Sequence, residues 1–240
     1  MGFACSSCRT RRRRSPSSGD VSPVVHRFDV VSSTQDEARR LVEHGEAGAG
    51  DVVVADCQTA GRGRFGRTWL SPIGGLYATF LVPSSPQIAV LAAVAALRAC
   101  ACFEVEVALK WPNDVVVEDR KLAGILIETA GDLALVGIGL NLDEAPLPTA
   151  TSLRGLGRRV GRDELVDAIA QELEAEGDDA LLDAYRRGLA TLGRTVTVAM
   201  ESGETVAGRA VSVDDEGRLV VETPAGLRTI STGECTHLRA

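Results

Sequence analysis

Lysine is almost absent from this chain of 240 residues, in which arginine supplies nearly all of the 26 basic side chains. Asparagine and tryptophan also occur only twice each. Arginine and lysine differ in charge geometry and are not freely interchangeable, so the lysines that remain are candidates for a specific role. The rare residues all fall within one part of the chain, which indicates a functional site there: Trp69, Lys110, Trp111, Asn113, Lys121 and Asn141.

Long apolar runs, histidine clusters and a cysteine framework are missing as well. No stretch approaches the roughly 18 to 20 consecutive apolar residues of a membrane helix, which disfavours an integral membrane protein. Three scattered histidines argue against a histidine-built metal site. Six scattered cysteines form no disulfide framework and suit a reducing cytoplasm. The net charge of −7 disfavours wholesale binding to nucleic acid.

Residues 1–23 differ in composition from the rest of the chain, because they are rich in arginine, serine and proline. Four arginines are consecutive at Arg11–Arg14, yet no apolar stretch follows them, so the segment is not a secretory signal. Such a composition cannot support a packed core, and it predicts a disordered tail. A transit peptide or a tether to an anionic surface is the alternative.

From Val24 onward, the apolar pattern alternates between strand and helix periods. It predicts strands at 24–31, 51–56, 76–82, 104–109, 114–117, 124–128 and 133–140. It predicts helices at about 33–44, 85–102, 163–176 and 178–188, the first opened by a capping box of Ser33, Thr34 and Glu37 and the second by Ser85 and Pro86. Strands outnumber helices, which favours an α+β fold with a mixed sheet and helices packed on one side.

The end of the chain carries short β-branched runs separated by glycines, at 195–199, 205–213, 219–222 and 227–230. Closely spaced short strands with glycine turns predict a small β-barrel. We therefore expect a tail over residues 1–23, a larger ligand-binding domain over 24–190 and a small C-terminal domain over 191–240.

A segment rich in glycine and arginine, Gly61–Trp69, follows the second predicted strand. Its three glycines match the spacing of the dinucleotide-binding fingerprint, but that fingerprint opens a helix, which the sequence up to Pro72 cannot form. Glycines let the backbone approach a ligand, and guanidinium groups clamp phosphate or carboxylate oxygens. The segment thus predicts a loop that closes over phosphates through Arg62, Arg64 and Arg67, whereas a merely solvated basic loop is the alternative.

Three further segments bear polar residues of chemical interest. Lys110–Asp114 combines a lysine, an amide and a carboxylate around a proline turn, groups that together can hold a phosphate, a nucleotide edge and a divalent cation. A structural turn with Trp111 in the core is the alternative there. Lys121 is expected at the tip of a hairpin, where it is placed to meet a carboxylate, and a solvated turn residue is the alternative. Gly137–Asn141 predicts strand backbone pressed against a ligand.

These segments together resemble the signature motifs of the biotin–protein ligases. The motifs lie at Gln58, Gly61–Trp69, Lys110–Asp114, Lys121–Glu128 and Gly137–Asn141. Ser33 and Thr34 resemble the Ser-Thr motif of that family, although Gln35 stands where many members have asparagine. The resemblance runs from about Val24 to Ala240 without a winged-helix domain, which implies the single-function class of ligase that lacks the DNA-binding domain.

The resemblance implies a catalytic fold like that of the class II synthetases, followed by an SH3-like C-terminal barrel. It also implies a two-step reaction in which the biotin carboxylate attacks the α-phosphate of ATP to give biotinyl-5′-AMP. A specific lysine of the biotin carboxyl carrier domain of a carboxylase then attacks this mixed anhydride. ATP and biotin are the implied substrates, and Mg²⁺ is the implied metal ion.

Residue by residue, the resemblance implies contacts to biotin from Ser33, Thr34, Gln35, Gln58, Arg62, Gly63, Arg64 and Lys121. It implies contacts to ATP from Arg64, Arg67, Trp69, Lys110, Asn113, Asp114 and Asn141. The implied catalytic residues are Lys121, Arg62 and Arg64, with Lys121 between the biotin carboxylate and the α-phosphate. Asp114 is the implied contact to Mg²⁺.

Two other functions stay open at this point. A lipoate or octanoate protein ligase or transferase resembles the same catalytic fold, although the segments at 61–69 and 110–114 are of the biotin type. A non-enzymatic module that binds nucleic acid is the second, but the C-terminal region lacks a basic and aromatic stripe. The expected location is the cytoplasm, with no nucleic-acid or membrane partner. The sequence sets neither the carrier protein nor the oligomeric state, and it allows a homodimer.

Overall fold

The computed structural model of the protein describes residues 23–174 and 179–238. The tail predicted over residues 1–23 lies outside the described residues, apart from Pro23. Within the described ranges the chain forms two β-sheets and four α-helices. None of the described helices combines the length and the hydropathy that a transmembrane span requires.

The larger domain is built on a seven-stranded mixed sheet. Its strands are β1 (Val25–Val31), β2 (Val52–Gln58), β3 (Leu76–Pro83), β4 (Ala108–Lys110), β5 (Asp114–Val117), β6 (Arg120–Ala130) and β7 (Leu133–Leu140). Their spatial order is β1-β2-β3-β7-β6-β5-β4. The pair β1 and β2 is parallel and the other neighbours are antiparallel, which confirms the predicted mixed sheet.

The helices cover both faces of this sheet. They are α1 (Thr34–Glu43), α2 (Ile88–Cys102), α3 (Arg162–Leu173) and α4 (Asp179–Gly188). Side chains alternate along β2, so Val52 and Val54 join the core that contains α2, α3 and α4, whereas Val53 packs with α1. Helices α2–α4 therefore pack on one side of the sheet, as predicted, whereas α1 packs on the opposite side. The second face of the sheet carries Val53, Leu81 and Leu135, and α1 covers this apolar patch.

The first turn of α1 is fixed by its N-cap rather than by the predicted capping box. Ser33 is the N-cap, and its Oγ accepts from the backbone N–H of Gln35 at 3.2 Å. The carboxylate of Glu37 instead accepts from Arg40 at 2.9 Å on the exposed side of the helix. The N-terminal end of α1, where the backbone N–H groups carry partial positive charge, is held against β2 by the hydrogen bond from the Thr34 N–H to Gln58 Oε1 at 2.8 Å.

Two predicted boundaries are wrong around α2. The helix begins at Ile88 and not at Ser85, because the Ile88 N–H closes a turn onto the Ser85 carbonyl at 3.2 Å before the helix starts. Beyond its C-terminal end, Glu104 adopts a positive φ of 57°, so the strand predicted from residue 104 shortens to the three residues of β4.

The hairpin between β5 and β6 turns earlier than predicted. Glu118 and Asp119 have positive φ values of 50° and 64° and form the tip. Lys121 is consequently not a tip residue but lies within β6, opposite Val116. Its side chain is held by a strand and not by a turn.

The C-terminal domain is a five-stranded antiparallel sheet, which confirms the predicted small β domain. Its strands are β8 (Thr195–Ala199), β9 (Thr205–Val213), β10 (Leu219–Thr223), β11 (Gly226–Ile230) and β12 (Glu234–His237), in the spatial order β11-β10-β9-β8-β12. The sequence did not predict β12, because this short strand has few apolar residues and is defined by pairing with β8.

Trp111 is buried in the core, as the structural interpretation of this residue predicts, and it also links the larger domain to the C-terminal domain. Its indole N–H donates to the Gly217 carbonyl at 3.0 Å, and its backbone N–H donates to Thr191 Oγ1 at 2.9 Å. Thr191 Oγ1 also lies 3.0 Å from His237 Nε2, while Arg194 Nη1 lies 3.3 Å from His237 Nδ1. Because a guanidinium only donates, Nδ1 is the acceptor and Nε2 carries the proton of a neutral imidazole.

Candidate active site

A pocket opens on the α1 face of the sheet, between the first turn of α1, strands β6 and β7, and the glycine–arginine loop at 61–75. It is lined by most of the residues that the sequence predicts for the site. These are Ser33, Thr34, Gln35, Gln58, Arg62, Gly63, Arg64, Arg67, Trp69, Asn113, Lys121 and Asn141. Lys110 and Asp114 do not line it. The far wall is formed by Pro146, Leu147, Thr149 and Ala150, which the sequence did not indicate.

Hydrogen bonds preorganise the end of the pocket next to α1. Gln58 Oε1 accepts from the backbone N–H of Thr34 at 2.8 Å and from its hydroxyl at 3.2 Å. The Gln58 amide nitrogen donates to Ser71 Oγ at 2.8 Å, and the Thr79 hydroxyl donates to Thr34 Oγ1 at 2.9 Å. Strand β2 and strand β3 thus fix the side chains that α1 presents to a ligand.

Gln35 lies against β7 at a glycine. Its amide nitrogen donates to the carbonyls of Leu126 and Leu135, at 2.9 and 3.2 Å, and the side chain is buried. A Cβ at Gly137 would lie only 2.8 Å from this nitrogen, so glycine is required for the contact. The sequence predicts that the glycine-containing backbone of β7 lies against a ligand. At Gly137, the group that lies against this backbone in the structure is the side chain of Gln35.

Trp69 covers the neighbouring glycines of the same two strands. A Cβ at Gly139 would lie 2.4 Å from the indole ring, and one at Gly124 would lie 3.1 Å from it. The indole Nε1 is buried and has no hydrogen-bond partner in the described part of the chain. Lys121 Nζ lies 5.3 Å from the ring centroid, within cation–π range. The indole thus forms a flat wall beside the pocket lysine.

Lys121 and Asp114 form an ion pair from adjacent strands. Lys121 Nζ lies 2.6 Å from Asp114 Oδ1, and about a third of the lysine side chain is exposed to the pocket. The carboxylate that Lys121 meets in the structure is Asp114 of the protein, and its contact with a ligand stays a prediction. No group of three or more His, Cys, Asp or Glu residues in the described ranges is arranged to hold a metal ion. A cation bound here would need ligands from a substrate.

Each arginine of the loop already has a partner within the protein. Arg62 Nη2 lies 2.8 Å from Asp36 on α1 and 3.0 Å from Glu128 on β6, which also binds Arg39 at 2.9 Å. Nearby carboxylates therefore offset the positive charge of the loop even without a ligand. The carboxylates come from elements distant in sequence, which sequence reasoning missed.

The C-terminal domain holds the other two arginines. Arg64 donates to the hydroxyl of Thr232 and to the Gly233 carbonyl, and Arg67 Nη1 lies 2.7 Å from Glu234 Oε1. Burial, followed by the positive charge of Arg67, lowers the pKa of Arg64 from its ordinary value. Residues 232–234, which we call the C-terminal latch, therefore bring the second domain to the mouth of the pocket. No local signal in the sequence indicates this contact.

Other predicted site residues serve the framework of the pocket. Asn113 Nδ2 donates to the Ile125 carbonyl at 2.9 Å, while its Oδ1 lies 3.5 Å from Arg64 Nη1. Asn141 is buried and donates to the Thr151 carbonyl at 2.9 Å. Lys110 faces the C-terminal domain, where its charge acts on Cys235 and His237. These placements leave Lys121 as the lysine of the pocket.

Comparison with known proteins identifies the class to which this fold and pocket belong. Residues 27–143 match the model of the biotin/lipoate A/B protein ligase family. Residues 191–238 match the model of the biotin protein ligase C-terminal domain. The chain thus has the architecture of a protein ligase of the biotin and lipoate class, in which the second domain is the one typical of biotin ligases.

The chain belongs to the biotin protein ligase family. It is 34% identical over 237 residues to the biotin–[acetyl-CoA-carboxylase] ligase of Mycobacterium tuberculosis, with 88% of this chain and 89% of the relative covered. It is 33% identical to the ligase of the same name from Paracoccus denitrificans, with 85% and 96% covered. The structure of the Aquifex aeolicus biotin protein ligase in complex with biotin and ATP superimposes with a TM-score of 0.78 at 28% identity, covering 90% of this chain and 99% of that one.

Proposed function

We propose that this protein is an ATP-dependent ligase that activates biotin as biotinyl-5′-AMP and transfers it to a lysine of a biotin carboxyl carrier domain. The position of Lys121 carries the proposal, because its ammonium shares one pocket with the polar end of α1 and with the loop arginines. The first reaction brings two anions together, so a cation between them stabilises the transition state. The relatives from M. tuberculosis and P. denitrificans are both biotin–[acetyl-CoA-carboxylase] ligases, which supports this substrate and this acceptor.

In the first step an oxygen of the biotin carboxylate bonds to the α-phosphorus of ATP. The bond from that phosphorus to the bridging oxygen of the β-phosphate breaks, and pyrophosphate leaves. In this proposal Lys121 contacts both the carboxylate and the α-phosphate, and Asp114 positions its ammonium through the 2.6 Å ion pair. Arg64 and Arg67 bind the outer phosphates, exchanging the C-terminal latch for phosphate oxygens.

The acyl end of the pocket suits a compact ring with polar edges. Thr34 and Gln58 supply hydrogen-bonding groups that are held in place by Ser71 and Thr79. Gln35 and Trp69 pack over the glycines of β6 and β7, so these side chains rather than the strand backbone form the surface on which a ring can lie. A polar urea edge and a compact bicyclic body, as in biotin, fit such a surface.

Mg²⁺ belongs to the proposal as a companion of the nucleotide. A single carboxylate, Asp114, fits a Mg²⁺ ion that keeps most of its ligands from water and phosphate. When bound, the ion neutralises phosphate charge.

In the second step the neutral amine of the acceptor lysine attacks the acyl carbonyl, the bond from that carbon to the phosphate oxygen breaks, and AMP leaves with release of a proton. The loop over the pocket shields the mixed anhydride from water in the interval. We place the reaction in the cytoplasm, because Cys57, Cys100 and Cys235 carry free thiols that suit a reducing compartment.

A chase experiment tests both steps. The protein is incubated with biotin, Mg²⁺ and ATP labelled at the α-phosphate, and acyl-adenylate is quantified before and after addition of a biotin carboxyl carrier domain. We expect adenylate to form with biotin and to disappear as the carrier gains biotin. A carrier domain in which the acceptor lysine is changed to arginine is the control and should leave the adenylate in place. Failure to form adenylate from biotin would contradict the proposal.

A further inference from the structure

The far wall of the pocket is joined to the strand that carries the pocket lysine. The Lys121 backbone N–H donates to the Thr149 carbonyl at 3.2 Å, and the Thr151 N–H donates to the Lys121 carbonyl at 2.9 Å. Ala150 thereby pairs with Lys121 as in a parallel sheet. The position of the far wall and the position of the lysine are therefore linked through the backbone.

The pairing with Lys121 does not use the backbone groups of Ala150 itself. The Ala150 N–H donates to the Leu147 carbonyl at 3.0 Å, and the Ala150 carbonyl accepts from Arg120 Nη2 at 2.6 Å. Ala150 is only 5% exposed, so its carbonyl would be costly to leave unpaired. Because a guanidinium is charged and only donates, this hydrogen bond is of the strong, charge-assisted kind. Arg120 thus holds the far wall at Ala150.

The backbone from which Arg120 extends is itself fixed. Arg120 is the first residue of β6 and pairs with Val117 across the hairpin. The residue before it, Asp119, has a positive φ of 64°, and its carboxylate accepts from Arg194 Nη1 at 3.1 Å. The guanidinium therefore reaches the far wall from a hairpin that is held in place on both sides.

The chain that leads into the far wall is attached at its other end to the glycine–arginine loop. The Asp143 N–H donates to the Gly74 carbonyl at 2.9 Å. The chain from Asp143 to Ala150 thus spans one side of the pocket between two attachment points, and Leu147 between them is half exposed. Loss of the attachment at Ala150 should let this chain move away from β6.

We infer that Arg120 is a positioning residue for ATP, because it holds the far wall against β6 although it does not itself line the pocket. This inference rests on the proposed function. In that function the acyl group fills the end next to α1, and the nucleotide takes the space between Lys121 and the far wall. Removing the guanidinium should therefore weaken ATP binding and leave the acyl end intact.

The kinetic test separates ATP from biotin. Arg120→Met removes the donor while keeping an unbranched side chain. We expect the KM for ATP in biotin-dependent pyrophosphate exchange to rise about 5- to 50-fold, somewhat less than the full value of a hydrogen bond to a charged group, because the far wall keeps its backbone pairing with Lys121. The Kd for biotin, measured by calorimetry without ATP, should stay unchanged. Arg120→Lys should restore the KM in part, because it keeps a cationic donor but not the planar fork.

Hydrogen exchange tests the position of the far wall without any substrate. In the empty protein, the amides of residues 143–151 should exchange faster in Arg120→Met than in the wild type, because the far wall has lost an attachment point. The amides of α1 should exchange at the wild-type rate. Arg186→Met is the matched control, since Arg186 also donates to a backbone carbonyl, that of Val213 at 3.3 Å, and does not line the pocket. It should change neither the KM for ATP nor the exchange of residues 143–151.

Each result has a stated meaning. If Arg120→Met leaves the KM for ATP or the exchange of residues 143–151 unchanged, the inference is wrong. If the affinity for biotin, the KM for ATP and the melting temperature all worsen together, Arg120 only supports the fold, which also overturns the inference. If Arg120→Met does not fold, Arg120→Lys takes its place, because it should show the same changes at smaller size. If the wild type catalyses no exchange with biotin, the proposed function itself fails, and the inference fails with it.

Discussion

Replacing Lys121 by methionine removes the pocket ammonium while keeping a side chain of similar length. The ammonium lies 2.6 Å from Asp114 and beside the Trp69 ring, so its loss also leaves a carboxylate facing the incoming anions. We expect adenylation to be crippled and the fold to be retained, because the lysine is partly exposed and contributes little to the core.

The size of the effect follows from the charges. Two unit charges about 4 Å apart interact by about 4 kcal/mol at an effective dielectric constant of about 20. That energy corresponds to roughly 10³-fold in rate, and the partial exposure of Lys121 reduces it. Loss of a single charge-stabilising donor in other active sites lowers the rate by about 10²- to 10³-fold. We therefore expect a loss of 10²-fold or more for Lys121→Met. Lys121→Arg should also be poor, because a planar fork replaces a compact charge.

The assay is biotin-dependent exchange of labelled pyrophosphate into ATP at saturating substrates, with circular dichroism to confirm folding. Arg158→Met is the matched control, since Arg158 forms a comparable 3.0 Å ion pair with Glu104 and does not line the pocket. The control should exchange at the wild-type rate. Near-normal exchange by Lys121→Met would refute the reasoning. It would mean that Lys121 only forms the ion pair with Asp114 and does not act on the substrates.

Three further predictions concern the latch, the domain junction and the glycine wall. Glu234→Gln should tighten ATP binding by at most about fivefold in calorimetry, because its ion pair with Arg67 is solvent-exposed and such pairs are worth about 0–1 kcal/mol. Burial and two nearby cations lower the pKa of His237, so the folded protein favours the neutral imidazole. The contribution of His237 to the free energy of unfolding should therefore be complete at neutral pH and should decrease as the pH drops below about 6.5. His237→Gln should make the melting temperature less dependent on pH over this range. Gly139→Ala should displace Trp69, change its fluorescence and slow exchange.

Each of these predictions has an outcome that contradicts it. Weaker ATP binding in Glu234→Gln would mean that this carboxylate assists the nucleotide and does not compete with it. An unchanged pH profile in His237→Gln would show that the histidine does not report on the junction. Wild-type fluorescence and exchange in Gly139→Ala would show that the indole does not depend on a close approach to β7.

Short apolar and β-branched runs bounded by turn residues were predicted well, because such runs favour a strand whichever of their faces are buried. The bounds of β5, β7, β8 and β9 agree with the predicted segments. Local sequence signals gave wrong predictions where tertiary packing determines the helix boundary or the face of the sheet that a helix covers. Ser85 and Pro86 form a good helix start, yet the chain turns first and α2 begins at Ile88. The side of the sheet covered by α1 depends on which apolar patch remains open, and no periodicity encodes that choice.

The candidate site divides in the same way. Contiguous motifs predicted most of the residues that line the pocket, because the glycine–arginine loop and the rare lysine, asparagine and tryptophan residues all come from short segments. The partners of the loop arginines come from α1, β6 and β12, which the fold brings together over long sequence distances. Polar residues such as Asp36 and Glu234 look like ordinary surface charges until the tertiary structure pairs them.

The most direct test of the account is pyrophosphate exchange measured in parallel with biotin, lipoate and octanoate. Each acid is supplied at the same concentrations with ATP, in the presence and absence of Mg²⁺. We predict exchange that requires both biotin and Mg²⁺, and little or none with the other two acids. Exchange with lipoate or octanoate but not with biotin would contradict the central claim, because the pocket around Lys121 would then serve a different acyl substrate.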